Sequence, residues 1–537
     1  MFQQITKKQQ TKQMKNSLRI FAAALLIVGC GSSNQNATKQ TAPKPPADPT
    51  VYGNTITSDE LKELLYTYAS DEFEGRETGE PGQKKAVNYL KDQYVAMGIP
   101  SPLNGDDYFQ EVPLERQKAP NVALSVNGMA MENYSDFLML GSADSQQLNI
   151  KEVVYAGYGI DADSYSDYKN LDVKGKIVLV KAGEPKDADG NYVTSGSTED
   201  TKWSAGRQSI SSKRDAAKEH GAKAIMFMNE TMLGQYGAYY KQLAESGRAG
   251  RISLKSNESP MLFMMIGEKI GKAIYAEMMT SDASKTVSTE ITGSIASQSD
   301  KVDSENVVAF IRGTEKPDEI LVISAHLDHE GIKDGKVYNG ADDDGSGTVA
   351  LVEIAEAFKQ AADEGYGPKR SILFLHVTGE EKGLLGSRHY TDNDPIFPLA
   401  NTVANLNIDM IGRTDPKREG ERNYIYLIGS DKLSTELHNL SEEINAKYMN
   451  ITLDYTYNDE NDPNRFYYRS DHYNFAKNNI PIIFYFNGTH DDYHQPSDTP
   501  DKIEYDLLEN RTRLVFYTAW EVANREGKIV ADKAETK

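Results

Sequence analysis

The sequence predicts an α/β fold, a doubly wound and mostly parallel central sheet flanked by helices, carrying an inserted β-rich domain. Two observations predict it. From residue 301 to 525 short apolar runs alternate with helical periodicity. Residues 117–300 interrupt that texture with short alternating strands set among Gly and Asp turns. Length agrees, because 537 residues at roughly 100–200 per domain make two or three domains.

The chain opens on Lys7, Lys8, Lys12, Lys15 and Arg19, then the apolar run Ile20 to Gly29, then Cys30. A basic stretch before about ten apolar residues reads as a secretory signal, since a membrane span needs roughly 20. Ile27-Val28-Gly29-Cys30 resembles the bacterial lipobox, which implies acylation of Cys30 and anchoring to a bacterial membrane on its exported face. Residues 31–52 are polar and Pro-rich and predict a flexible tether. Ser58 is expected to cap a helix through Tyr68, and Ala86 to Met97 continues the pattern with Gly98 as its stop. Residues 53–116 and 301–527 would form the main domain, 117–300 the insert, and 528–537 a frayed tail.

Composition excludes some functions. Lys and Arg number 59 against 80 Asp and Glu, a net charge of −21, which argues against a phosphate-tracking nucleic-acid binder. One cysteine excludes an intramolecular disulfide and a Cys-rich zinc site. Metal chemistry must therefore use His and carboxylates.

Such residues recur at strand ends. Ile320–Ala325 leads into His326-Leu327-Asp328, Ile372–Val377 into Gly379-Glu380-Glu381, and Val403–Ile408 into Asp409. Ile482–Phe486 leads into Gly488-Thr489-His490-Asp491-Asp492-Tyr493-His494. Ligands of open α/β sheets bind beyond the carboxyl ends of strands. Gly340-Ala341-Asp342-Asp343-Asp344-Gly345-Ser346-Gly347 adds three acids at a helix start. This donor set suits zinc or a similar divalent ion with open positions. Asp342 through Glu353 also meets a loose EF-hand template, but its approach from Gly331 to Gly340 is turn-rich rather than helical.

At these residues the chain resembles the M28 family of co-catalytic zinc peptidases, which reads His-x-Asp, Gly-Ala-x-Asp-Asp-x-Ser-Gly, Glu-Glu, a strand-end Asp and a C-terminal His. Ala69-Ser70-Asp71-Glu72-Phe73-Glu74-Gly75-Arg76-Glu77-Thr78-Gly79 resembles the family's N-terminal segment. The resemblance implies two zinc ions held by His326, Asp343, Glu381, Asp409 and His494, with Asp343 bridging, with His326 and Asp409 on opposite ions, and with His326 and Glu381 on different ions. It implies Glu380 as general base, Asp328 holding the His326 tautomer, and Tyr493 as an oxyanion stabiliser. His329 and His490 receive no role; Asp471 and Asp498 compete to orient His494. His376, inside an apolar strand, reads as a core histidine, and His220 and His438 as solvated.

Tyr155-Ala156-Gly157-Tyr158-Gly159-Ile160, Asp172 to Val180 and Ala216 to Ile225 resemble a protease-associated domain, which implies a lid or specificity role for the insert. The expected activity is aminopeptidase action on peptides, with the acidic loop Asn458-Asp459-Glu460-Asn461-Asp462 available for the substrate ammonium. A glutamate-releasing carboxypeptidase would share the metal set and use Arg465 or Arg469 for the substrate carboxylate. A one-zinc glutaminyl-cyclase-like transferase and a non-catalytic surface binding protein both fit the full ligand set less well.

Overall fold

Four strands carry the ligand-bearing segments to one edge of a sheet, and the rest of the fold supports them. The computed structural model describes residues 47–534 apart from 246–249 and 257–258; the leader, Cys30 and the tether through residue 46 lie outside the described residues. The larger sheet contains β1 Phe109–Lys118, β2 Gly250–Leu254, β3 Ser299–Ile311, β4 Lys316–His326, β5 Arg370–Val377, β6 Thr402–Ile408, β7 Tyr424–Ile428, β8 Thr452–Asp454 and β9 Ile482–Phe486. Their order is β2-β1-β3-β5-β4-β6-β9-β7-β8.

Strands β5, β4, β6 and β9 are mutually parallel, so their carboxyl ends open on one edge. Antiparallel pairs flank them, β1 with β2 and β3, β3 with β5, and β7 with β9, while the edge strand β8 runs parallel to β7. The sheet is therefore mixed, where a mostly parallel one was expected. The cause is local. Only residues 312–315 join β3 to β4, and a parallel crossover needs a dozen residues or more.

A second, eight-stranded sheet draws all its strands from Asn121 to Ala296, with apolar clusters around Phe137 and Met226 on one side and around Ile225 and Phe227 on the other. The expected insert 117–300 is not self-contained, because β2 leaves it to pair with β1.

Helices α1 Ser58–Tyr68, α2 Pro81–Met97, α3 Gly347–Asp363 and α4 Tyr505–Asn524 cover the fold: α2, α3 and α4 pack on the larger sheet and α1 packs against α3 and α4. Thr57 rather than Ser58 caps α1, accepting from the Glu60 amide, while the Ser58 hydroxyl bonds Glu509 at 2.5 Å. Gly98 closes α2 in the left-handed region. The end of the expected tether is structured: Pro49–Gly53 is helical, with Tyr52 stacked on Trp520 at 5.5 Å and bonded to Glu364. The expected tail is anchored as well, since Ile529 is buried and Asp532 accepts from the Thr435 amide. Among the described residues no helix is long and apolar enough to cross a membrane.

On α3, Phe358 stacks on Trp520 of α4, and Glu353 is buried at 4 % exposure. Burial, reinforced by Glu356 and Glu60, pushes the Glu353 carboxyl up to about 8. The folded state thus prefers the protonated form, and stability is lost as pH rises from the unfolded value near 4.5 toward 8, at about 1.4 kcal/mol per pH unit. Glu353→Gln is expected to raise the melting midpoint more at pH 8 than at pH 5. Equal shifts at both pH values would refute it.

Candidate metal centre

The three acids opening α3 point three ways. Asp342 accepts from the Gly412 amide at 2.7 Å and from the Ser346 hydroxyl, and its other oxygen faces His490 at 3.0 Å. Asp344 accepts the main-chain amides of His326, Gly347 and Met410. These bonds occupy both carboxylates and lock strand ends β4 and β6 to the helix start, so the EF-hand template fails. Glu353, its twelfth position, sits beside Glu60 and Glu356 instead. Asp343 alone turns both oxygens into the site.

Its Oδ1 lies 3.1 Å from His326 Nε2, which is 3.7 Å from Asp409 Oδ1. Its Oδ2 lies 3.0 Å from His494 Nε2, which is 3.3 Å from Glu381 Oε1. Five side chains predicted from four separate strand ends and one helix start thus converge as two donor groups sharing Asp343. His326 and Asp409 fall in the same group, where the resemblance put them on opposite ions, because they leave the ends of the adjacent parallel strands β4 and β6. Burial would raise the Asp343 carboxyl, but the His326 and His494 imidazoles outweigh it and hold the group well below the usual range.

The donors fit a metal ion by a second criterion. His326 Nε2, Asp343 Oδ2 and Glu381 Oε1 are buried without a hydrogen-bond partner. Buried polar atoms are ordinarily paired, and a cation in each of the two donor groups would satisfy all three.

Other groups aim these donors. Ser470, absent from the expected site, donates to Asp409 Oδ2 at 2.6 Å. His326 Nδ1 pairs with the main-chain carbonyl of Asp328 at 3.0 Å, while the Asp328 carboxylate is 3.9 Å away. The expected tautomer-holding role therefore passes to the backbone. The carboxylate is engaged elsewhere, accepting from the Glu380 amide at 3.1 Å and from Thr78 at 2.7 Å, so it positions the segment bearing the expected base. Glu380 lines the cleft with Asp343, Asp409 and His494. Burial, then the nearby Glu381, Asp409 and Asp471 carboxylates, pushes its carboxyl well above the usual range against the pull of His326.

Neither Asp471 nor Asp498 orients His494. Asp471 accepts from Ser387, and Asp498 accepts the amides of Asp342 and Asp343. The carboxylate nearest His494 Nδ1 is Glu330, at 3.9 Å. Tyr493 stacks on His494 at 4.0 Å and accepts from Arg469 at 3.3 Å.

The cleft has an apolar wall of Met410, Phe466, Phe484 and Phe486, and Arg469 also lines it. The acidic loop 458–462 does not. Asp459 and Asp462 fold back on their own turns, accepting the amides of Asn461 and Asn464, and Asp459, Glu460, Asp462 and Arg465 line a separate depression. His376 is a core residue bonded to Tyr94 at 2.7 Å. His220 and His438 are partnered rather than merely solvated, by Asp161 and Ser430 respectively, contacts that sequence distance hides.

Residues 306–519 match the model of peptidase family M28. The aminopeptidase YwaD of Bacillus subtilis is 22 % identical over 413 residues, covering 74 % of this chain and 72 % of that relative. A probable glutamate carboxypeptidase of Arthroderma benhamiae is 36 % identical over 105 residues, 20 % of this chain. The match spans only 14 % of that relative's length. Among solved structures, an aminopeptidase from Aneurinibacillus sp. strain AM-1 matches with 19 % identity and a TM-score of 0.48, over 91 % of this chain and 99 % of that one.

Proposed function

From the premise that residues 306–519 form a peptidase family M28 domain, which makes the chain a zinc metallopeptidase acting on peptides, we propose that it is a two-zinc aminopeptidase. The observation that carries the reading is the sharing of Asp343 between two donor groups, His326 with Asp409 and Glu381 with His494, beside a cleft reached by the unliganded Glu380. Zinc held there supplies Lewis acidity, lowering the pKa of water and polarising a carbonyl. Glu380 takes the proton from the attacking water and delivers it to the leaving amine. Tyr493, its hydroxyl oriented by Arg469, stands at the cleft to donate to the developing oxyanion. The apolar wall of Met410, Phe466, Phe484 and Phe486 suits an apolar side chain on the cleaved residue.

One specific observation favours a second reading. Arg469 lines the cleft and would serve a carboxypeptidase by binding the substrate's terminal carboxylate. The extent of the likeness to the Bacillus aminopeptidase, 74 % of this chain against 20 % for the carboxypeptidase, supports the first. A panel of leucyl, phenylalanyl and aspartyl chromogenic amides, free and N-acetylated, beside N-blocked dipeptides with a free carboxylate, separates the two. Chelator-sensitive cleavage of free-amine leucyl and phenylalanyl substrates is expected. Turnover of the N-blocked dipeptides alone would establish the carboxypeptidase instead.

A further inference from the structure

His329 follows the predicted ligand His326 by three residues and had no expected role. Its side chain is fully buried, and it is the only histidine among the described residues with both ring nitrogens buried and unpaired. His376, by contrast, has its Nε2 paired with Tyr94, and His472 has its Nε2 paired with the Tyr467 carbonyl. His329 Nδ1 lies 3.0 Å from Glu381 Oε1 and 3.8 Å from Asp343 Oδ2. The first contact is short, yet neither atom has a hydrogen-bond partner, because the ring N–H direction misses the oxygen. Close donors that fail to bond one another are the arrangement expected of ligands aimed at a common point.

The spacings agree. Zinc bonded at about 2.0–2.1 Å by nitrogen and oxygen donors separates them by about 3.3–3.4 Å along tetrahedral edges. Four of the six separations among these donors are His329–Glu381 at 3.0 Å, His329–Asp343 at 3.8 Å, His494–Asp343 at 3.0 Å and His494–Glu381 at 3.3 Å. The ring is also held in place. Its main-chain amide donates to the Arg76 carbonyl, and Gly340, in the left-handed region, leaves room where a Cβ would meet His329 Cγ at 2.5 Å. His494 meets the ring edge-on at 5.7 Å between centroids.

We propose that His329 is a fourth protein donor to the ion held by Asp343, Glu381 and His494. The inference rests on the two-zinc reading. It makes the centre containing Glu381 closed by the chain itself, while His326, Asp343 and Asp409 leave the other centre with positions open to water and substrate, as structural and catalytic zinc sites respectively require.

Cobalt-substituted protein tests this through proton NMR, which counts ligating imidazoles by their paramagnetically shifted, solvent-exchangeable ring N–H signals. Three are expected from His326, His329 and His494, and two after His329→Gln. Zinc titration of apo His329→Gln should show one site weakened by about 10²-fold or more and the other unchanged, with a circular-dichroism spectrum like that of the parent. His329→Asp, which restores an oxygen donor, should recover part of the loss. In a parent protein that binds two ions, two shifted imidazole signals would overturn the proposal, as would unchanged zinc affinities in a folded His329→Gln. If the glutamine variant fails to fold, the parent cobalt spectrum alone decides, three signals supporting and two overturning. A parent protein that binds one ion per chain would instead overturn the two-zinc reading. In that case the proposal survives only if a shifted signal disappears in His329→Gln.

Discussion

Replacing Glu380 with glutamine is expected to cut turnover by about 10²–10⁴, the usual worth of a general base, with zinc content unchanged. The side chains converging on Asp343 to form the two donor groups do not include Glu380, whereas its carboxyl lines the cleft. Glutamine keeps the shape and the Glu380 amide bond to Asp328 but cannot take a proton. Single-turnover rates on a leucyl amide, measured beside metal content, check the result. A variant that keeps wild-type turnover would remove Glu380 from the mechanism, and one that loses metal would make it structural.

The second large effect is expected on stability. Arg76 is fully buried, and its guanidinium donates to four carbonyls: Leu327, Tyr68, Asn339 and Gly340. Leu327 lies between His326 and Asp328, and Asn339 and Gly340 lead into the Asp343 turn. One side chain thus ties together two segments that present metal donors, while its face covers the Tyr68 ring at 4.6 Å. Leu327 and Gly340 keep another donor, the Tyr68 hydroxyl and the Gly345 amide, but the Tyr68 and Asn339 carbonyls would be left unpaired at about 1–3 kcal/mol each, so Arg76→Met should destabilise the fold by about 2–6 kcal/mol. Arg76→Lys should do little better, because an ammonium cannot span four acceptors in the guanidinium plane. Chemical denaturation and zinc titration of both variants check this. A methionine variant with parental stability would show that the carbonyls find other donors.

The candidate site was legible where chemistry is local. His326, Glu381, Asp409 and His494 each follow an apolar strand in the sequence, and parallel strands bring such ends together. That the middle acid of the three would face two ions was implied only by family likeness. In the structure the reason is plain, because amides of neighbouring strands claim Asp342 and Asp344. The acidic loop 458–462 misled for the opposite reason. Asp and Asn in turns bond their own backbone, and charge density alone does not separate a turn from a binding surface.

Residue order and periodicity determined the strands, the helices, the break between the two textures of the chain and the short segments that carry metal donors. Each depends on neighbours within a turn or a strand, which the sequence lists side by side. Tertiary structure decided the return of β2 to β1, the burial of Arg76 and the approach of His329 to Glu381. These depend on groups roughly 50 to 260 residues apart, and a lone Arg or His in sequence looks the same whether it faces water or four carbonyls. Burial is set by what packs against a residue, so the partners, and with them the roles, become readable only once the chain has closed.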